Sequence, residues 1–251
     1  MMGETATDRS ILSLTGADAL SFLQGMVSND VLPLGKGPGI VWTALLTPQG
    51  KYLADFFVIK TSDSLLIDIK STFAEPTLRR LTMYRLRADV QITPTELAIT
   101  RGLGPAPVSA FADPRHPALG WRGYGLPGTT PGIDWDDIRV THCIPETGIE
   151  LIPDDSYLLE SGFERLHGVD FRKGCYVGQE VTARMKHKTE LRKGLVRVRI
   201  SGTASVGTPI LAGDKPTGTL FTQSGDHAIA YLRFDRLDGP LTAGSAKITA
   251  E

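Results

Sequence analysis

The chain has 251 residues, with 27 basic and 28 acidic side chains, and 41% of its residues are hydrophobic. This length fits one large domain or two smaller ones, and it buries enough surface to need no disulfide or metal for stability. The near-neutral charge argues against a general polyanion-binding protein, and the ordinary glycine and proline content excludes a disordered or fibrous chain.

The two cysteines, Cys143 and Cys175, are too few for a disulfide framework. The amino-terminal residues lack the charged and apolar regions of a signal peptide, and no apolar run approaches the ~20 residues of a membrane span. We therefore expect a cytoplasmic protein without membrane attachment, in which a cysteine of importance acts through its thiol.

The first part of the chain has the pattern of an α+β sheet domain. A helix is predicted to begin with Thr15 as its cap and to end near Gly25, before a break rich in glycine and proline. A Pro-x-Gly turn at 47–50 joins two apolar runs and predicts a hairpin. The predicted strands and helix are, in chain order, strands 40–46, 52–60 and 64–69, helix 72–87, and strands 90–93 and 97–100. This order is typical of an α+β sheet and not of a doubly wound one.

The second part follows an irregular connector at 101–134. Regular structure is predicted for 136–143, and 157–166 has helical spacing. Short β runs separated by glycines indicate a small barrel; they are 195–200, 209–211, 218–222 and 228–234. We therefore divide the chain into an interleaved α+β region at 1–190, with a sheet subdomain at about 40–105, and a C-terminal β-barrel at 191–251.

The stretch 171–187 contains the strongest candidate for chemistry. Its pattern fits a helix from about Cys175 to Lys186. At a helix N-terminus beside Lys173 and Arg172, the Cys175 thiol would favour its thiolate and suit nucleophilic, redox or metal-ligand work. On spacing alone the more common alternative, a small buried cysteine, is favoured, because no second ligand lies nearby in the sequence.

Residues 172–193 carry seven Lys or Arg against two Glu. Such a run is usually a solvated face, although it also fits a docking site for an anionic ligand tail or a nucleic-acid stripe. Tyr176 is the one aromatic side chain in the run, which argues against a nucleic-acid partner. The templates GxGxxG, GxxxxGK[ST], GxSxG and HExxH are absent, and His167 and His187 have no metal-ligand spacing, so no metal site is predicted.

Four motifs occur in one order across nearly the whole chain. They are FLQG at 22–25 followed by Asn29-Asp30, LTPQGK at 46–51 followed by Asp55, YRLR at 84–87, and KGCYVGQE at 173–180. The last resembles the KGC[YF]xGQE signature of the YgfZ family, which is related to the glycine-cleavage T-protein, and the other three resemble further elements of that family.

The resemblance implies a T-protein-like fold with three parts around a central channel that holds tetrahydrofolate or a related reduced folate. It also implies a role in assembling or repairing iron–sulfur proteins, so that client or assembly proteins would be the partners. Lys173 and Cys175 would form the functional pair. The residues implied to shape the folate site are Gln24, Asn29, Asp30, Asp55, Tyr176, Gln179, Glu180 and Arg184. A basic rim for the folate tail would come from Arg184, Lys186 and Lys188, or from the arginines between 79 and 87.

One departure from the T-protein pattern bears on enzymatic activity. Where that protein has two adjacent aspartates, this chain has Ala54-Asp55. Alanine cannot move a proton, so aminomethyl transfer is not expected, whereas folate binding is still expected. A folate-dependent aminomethyltransferase and an RNA-binding module remain the alternatives, the latter using 172–193 and the barrel.

Overall fold

A computed structural model describes residues 3–188, 190–237 and 239–251 of the chain, and of Lys188 the backbone only. The backbone divides into two units that each take two stretches of sequence. The first unit is Met1–Ile133 with Glu164–Gln179, and the second is Asp134–Phe163 with Glu180–Glu251. No helix in the described part of the chain is both long and apolar enough to cross a membrane.

The first unit is built from antiparallel strands and two longer helices. Its elements are, in chain order, β1 (Glu4–Thr5), β2 (Arg9–Thr15), α1 (Ala19–Met26), β3 (Gly39–Leu46), β4 (Tyr52–Lys60), β5 (Leu65–Lys70), α2 (Ser71–Arg85), β6 (Gln91–Thr95), β7 (Ile99–Gly102), β8 (Phe111–Ala112) and β9 (Trp121–Tyr124). Among the described residues, five strands pair in the order β3-β4-β5-β2-β6, and four pair in the order β1-β7-β9-β8.

One face of the β3-β4-β5-β2-β6 sheet carries the apolar core of this unit. Leu23 of α1, Phe56 of β4 and Leu81 of α2 belong to one buried cluster. Side chains alternate along a strand, so every second strand residue points to this face, where the two helices cover it. Burial of such side chains contributes roughly 1.5–3 kcal/mol each, which is what holds both helices to the sheet.

The opposite face of the same sheet, called the polar face below, is also buried and carries charged side chains among aromatic and aliphatic ones. Trp42 and Asp68 lie opposite Phe57 on the neighbouring strands, so the three share a face. Arg9 Nε donates to Asp68 Oδ1 at 2.7 Å, and Arg122 Nη2 of the β9 strand donates to Asp68 Oδ2 at 2.6 Å. Although burial raises it, these two guanidinium groups lower the pKa of Asp68 to about 2. The charged pairs thereby connect the two sheets of the first unit.

The second unit contains two helices and a closed barrel. Its elements are α3 (Trp135–His142), α4 (Gln179–Lys188), β10 (Lys193–Ser201), β11 (Pro209–Ala212), β12 (Lys215–Ser224), β13 (His227–Arg233), β14 (Leu241–Ala243) and β15 (Ala246–Ala250). The barrel order is β10-β13-β12-β11-β14-β15, and closure leaves it without an unpaired edge.

A buried ion pair attaches α3 to this barrel. Arg139 Nη1 donates to Glu150 Oε2 at 3.0 Å, and Arg139 Nη2 donates to the hydroxyl of Thr222 at 3.0 Å. Thr222, on β12, in turn donates to Glu150 Oε1 at 2.5 Å. Every partner in this cluster is buried and hydrogen-bonded, the condition under which a buried charge pair is tolerated.

The α+β class, the 47–50 hairpin and the C-terminal barrel are confirmed. Two element predictions are wrong, in addition to the helix start near Cys175 described below. The first helix begins at Ala19 and not at Thr15, because Thr15 ends β2 and Gly16 takes a φ of +109°. The segment 157–166 forms turns and no helix, since Gly162 has a φ of +77° within it.

Candidate functional site

The segment Phe171–Gly178, called the cysteine segment below, is irregular and precedes α4. The predicted helix start at Cys175 is wrong, because α4 begins at Gln179. Gly178 has a φ of +85°, and a Cβ at this position would lie 2.6 Å from the carbonyl oxygen of Thr47. This left-handed residue separates Cys175 from the helix, so a helix N-terminus cannot be what activates the thiol.

Lys173 anchors the start of the segment. Its Nζ donates to the backbone carbonyls of Gln24 at 2.8 Å and Asn29 at 2.9 Å, and to that of Val27. These carbonyls lie at and just beyond the end of α1, where helix carbonyls lack intrahelical partners and a cation is favoured. Burial lowers the pKa of Lys173 to about 8, while Asp30 and Asp170 raise it, so the ammonium still carries its proton at neutral pH.

Further contacts fix both sides of the cysteine. Lys173 Nζ lies 4.9 Å from the ring centroid of Tyr176, which is itself buried. The Val177 amide donates to the carbonyl of Gly25 at 3.3 Å, and the Val177 side chain packs on the core of the first unit. Gly178 approaches the hairpin turn between β3 and β4. The backbone around Cys175 is therefore held on each side by groups of the first unit.

Cys175 itself is exposed, whereas Cys143 is half-buried, and the two are not joined in a disulfide. The alternative of a small buried cysteine is thereby excluded for Cys175. An exposed thiol on an anchored segment has the access that thiol exchange or metal ligation needs.

Three predicted folate-site side chains order the loop after α1. Gln24 Nε2 donates to Asp30 Oδ1 at 3.0 Å, and Gln24 Oε1 accepts from the Val31 amide at 3.0 Å. Asn29 Nδ2 donates to the carbonyls of Trp42 at 2.8 Å and His167 at 2.7 Å. By ordering this loop, these side chains position the backbone carbonyls that accept hydrogen bonds from Lys173.

Asp55 lies buried on the polar face of the sheet. Its Oδ2 accepts from the indole Nε1 of Trp42 at 2.8 Å, and its Oδ1 accepts from the hydroxyl of Tyr52 at 2.7 Å. The neighbouring Ala54 points into the apolar core on the other face. Both carboxyl oxygens of Asp55 are therefore engaged in hydrogen bonds.

The remaining predicted site residues belong to α4 or border it. Gln179 is half-buried, and Glu180, Arg184 and Lys186 are exposed. The Lys188 side chain lies outside the described residues. The other proposed basic rim, the arginines between 79 and 87, lies at the end of α2 in the first unit.

Sequence reasoning did not find the residues that support these groups. Ser28 Oγ donates to the carbonyl of Gly168 at 2.7 Å and lies 3.2 Å from Thr43 Oγ1. It therefore connects the backbone just before the cysteine segment to β3. Trp42 and Tyr52 hold Asp55. The pairing of β3 with β4 was the available signal, because it places Trp42 and Asp55 on one face.

Comparison with known proteins finds one family model and several relatives. The family model described as the CAF17 C-terminal beta-barrel domain matches residues 192–251. The iron–sulfur cluster assembly factor IBA57 of Homo sapiens is 30% identical, over 93% of this chain and 78% of that protein. The IBA57 homologue of Mycosarcoma maydis is 32% identical over 75% of this chain. This chain covers 54% of that fungal protein, about half of its length.

The fold also matches a solved structure. The glycine cleavage system aminomethyltransferase T of Bartonella henselae superposes with a TM-score of 0.76, covering 97% of this chain and 82% of that one. At 11% sequence identity this likeness shows the fold alone. The predicted T-protein-like fold is confirmed.

The expectation of a cytoplasmic location is contradicted. The human and fungal relatives are both named as mitochondrial proteins. The low cysteine content, on which the expectation rested, does not distinguish one reducing compartment from another.

Proposed function

Because the chain belongs to the IBA57 family of iron–sulfur cluster assembly factors, we propose that it assists the assembly of iron–sulfur proteins through the thiol of Cys175. The finer resemblance to YgfZ remains part of this proposal. The observation that carries it is the exposure of Cys175 on a segment that Lys173 and Gly178 hold in place.

A single thiol can take part in cluster handling as one ligand. Clusters of the [2Fe–2S] and [4Fe–4S] types are held by about four ligands, most often cysteine thiolates. We place Cys175 as one of these, with the other ligands supplied by the client or an assembly partner. On ligation the thiol loses its proton to water and its sulfur binds iron, so no oxidant or reductant is required.

The test is complementation of cells that lack their own relative of this protein. The Cys175→Ser variant is expected to abolish the recovery of iron–sulfur enzyme activity per unit of enzyme protein, because serine is a poor iron ligand. Its thermal stability should match that of the wild type, since the side chain is exposed. Full recovery with Cys175→Ser would overturn the proposal.

Cys143→Gly is the matched control. It removes the other thiol, and glycine suits the left-handed backbone of position 143, whose φ is +51°. This variant should restore enzyme activity fully. Loss of activity in both variants, with both proteins folded, would show that function requires both thiols and would contradict the assignment to Cys175 alone.

We further propose that the protein binds a reduced folate without transferring its one-carbon group. The T-protein-like fold supports the ligand, and the two hydrogen bonds that occupy the carboxyl oxygens of Asp55 oppose a proton-transfer role. Bound folate would supply a flat pterin with an anionic glutamate tail. The exposed Arg184 and Lys186 would form a basic rim for that tail.

Calorimetric titration of the full chain with tetrahydrofolate and with folic acid tests the proposed folate binding. Saturable binding is expected, and Arg184→Gln should weaken it by roughly 5- to 20-fold, the loss typical of one charged hydrogen bond. Arg79→Gln removes a charge from the other candidate rim and should leave the affinity unchanged. Absence of saturable binding would overturn the proposed folate binding and would not affect the proposal for Cys175.

A further inference from the structure

The end of α2 presents apolar side chains to solvent. Met83 is 65% exposed and Leu86 is 87% exposed, although Thr77 and Leu81 on the other side of the helix are buried. Met83 lies in the last turn of α2 and Leu86 is the residue directly after the helix, so both side chains leave the same end of α2 and are called the apolar pair below. Single exposed apolar residues are common, and an adjacent exposed pair is a candidate contact surface.

The backbone at Leu86 does not suit a leucine. The Ala88 amide donates to the carbonyl of Arg85 at 2.9 Å, which closes a four-residue turn with Leu86 at its second position. Leu86 has φ 49° and ψ −106°, the conformation that a type II′ turn requires there and that glycine adopts without steric cost. Arg85 Nη1 donates to the carbonyl of Val90 at 3.0 Å and helps to hold this turn.

Folding therefore gains nothing from a leucine at position 86. The side chain is almost fully hydrated, and the backbone would be relaxed by glycine. Strained positions of this kind persist at sites where the side chain has a function outside the fold. The geometry thus separates Leu86 from the residues that maintain the core.

Basic side chains surround the apolar pair. Residues 71–87 contain four arginines and one acidic residue, Glu75. Arg79 is exposed and lies four positions before Met83 on the same side of α2, and Arg87 is exposed directly after Leu86. Arg79 meets Glu75 at 3.5 Å in a largely exposed ion pair. Such a pair is weak, so Arg79 can exchange Glu75 for another carboxylate.

We propose that this surface, the α2 tip formed by Arg79, Met83, Leu86 and Arg87, docks an acidic amphipathic helix of a partner protein. The apolar face of that helix covers Met83 and Leu86, and its flanking carboxylates pair with the two arginines. The surface is separate from the cysteine segment, so the proposal does not depend on the function proposed for Cys175.

The probe is a fluorescent peptide of about 18 residues, with leucines at i, i+3, i+4 and i+7 spacing and glutamates elsewhere. Its anisotropy is measured against the full chain at low and at physiological salt. A scrambled peptide of the same composition is the peptide control. The test variant is Met83→Ala with Leu86→Gly, and the protein control is Val206→Ala, which trims an exposed apolar side chain of the second unit.

The expected result is salt-sensitive binding of the acidic peptide, with little binding of the scrambled one. The double variant should weaken binding at least about tenfold without lowering Tm, because Leu86→Gly relaxes the turn, and Val206→Ala should bind as the wild type does. Equal affinity of the double variant and the wild type would overturn the proposal, as would no binding of the acidic peptide. Binding to phosphatidylserine vesicles without binding of the peptide would assign the surface to a membrane and overturn it as well.

Discussion

Lys173 has a definite structural task, because its ammonium satisfies the carbonyls of Gln24, Val27 and Asn29. A lysine beside a candidate cysteine would ordinarily be read as an activating group. Here the Nζ points to the end of α1, so its main effect on Cys175 is to hold the segment that carries it.

Lys173→Met tests this assignment. The three carbonyls lose their donor in a buried site, and the free energy of unfolding should fall by roughly 2–4 kcal/mol in urea titrations. Arg172→Met is the control, since the Arg172 side chain is 94% exposed, and it should change the value by less than about 0.5 kcal/mol. A Lys173→Met protein as stable as the control but inactive would instead make Lys173 a chemical partner of Cys175.

The two thiols should also differ in reactivity at native pH. Cys175 is exposed and Cys143 is half-buried, so a maleimide should label Cys175 first. Mass spectrometry after brief labelling locates the adduct, and Cys175→Ser should remove the fast phase. Faster labelling at Cys143 would contradict the accessibility described for both.

At the scale of elements, the position of the cysteine segment depends on its contact with the turn between β3 and β4. Gly178 makes that contact possible in two ways: it takes a positive φ, and it has no Cβ to meet the Thr47 carbonyl. The helix α4 starts directly after it. One glycine therefore decides both where the helix begins and how closely the segment packs.

Gly178→Ala should consequently be costly. Backbone strain and the 2.6 Å approach to Thr47 act together, and we expect a loss of roughly 2–3 kcal/mol, or about 4–12 °C in Tm. Gly174→Ala, in the same segment, is the matched control, because its Cβ would meet nothing within 4 Å. Similar melting temperatures for the two variants would refute the close approach.

At the scale of the whole molecule, the near-neutral charge is an average over opposed local charges. The buried Asp68 is held between Arg9 and Arg122, while the end of α2 keeps exposed arginines. The charged pairs hold the two sheets of the first unit together, whereas the exposed arginines are available to partners.

The charge network predicts a specific acid dependence. The folded pKa of Asp68 is about 2, below its unfolded value of about 3.9, so its contribution to stability is complete above pH ~4 and is lost as pH falls toward 2. The shift corresponds to roughly 2–3 kcal/mol. In urea unfolding between pH 5 and 3, the stability difference between wild type and Asp68→Asn should shrink as pH falls. The control Asp63→Asn, at an exposed position, should show a difference that does not depend on pH in this way.

The sequence by itself determined the α+β class, the hairpin strands, the barrel and the importance of the 173–180 stretch. These features follow from local patterns: alternating apolar residues, turn-forming glycines and a contiguous motif, all of which are readable along one short window. The predicted starts of two helices, at Thr15 and at Cys175, were wrong because Gly16 and Gly178 adopt positive φ angles. Tertiary contacts with distant residues impose these angles.

Only the tertiary structure decided the roles of the polar residues. Lys173 meets carbonyls about 145 positions away, and Asp55 is held by Trp42 across a strand pair. A sequence pattern identifies which groups can donate or accept, but burial and distance decide which partners they meet. For the same reason the exposure of Cys175, and of Leu86 in its strained turn, became visible only when the chain had folded.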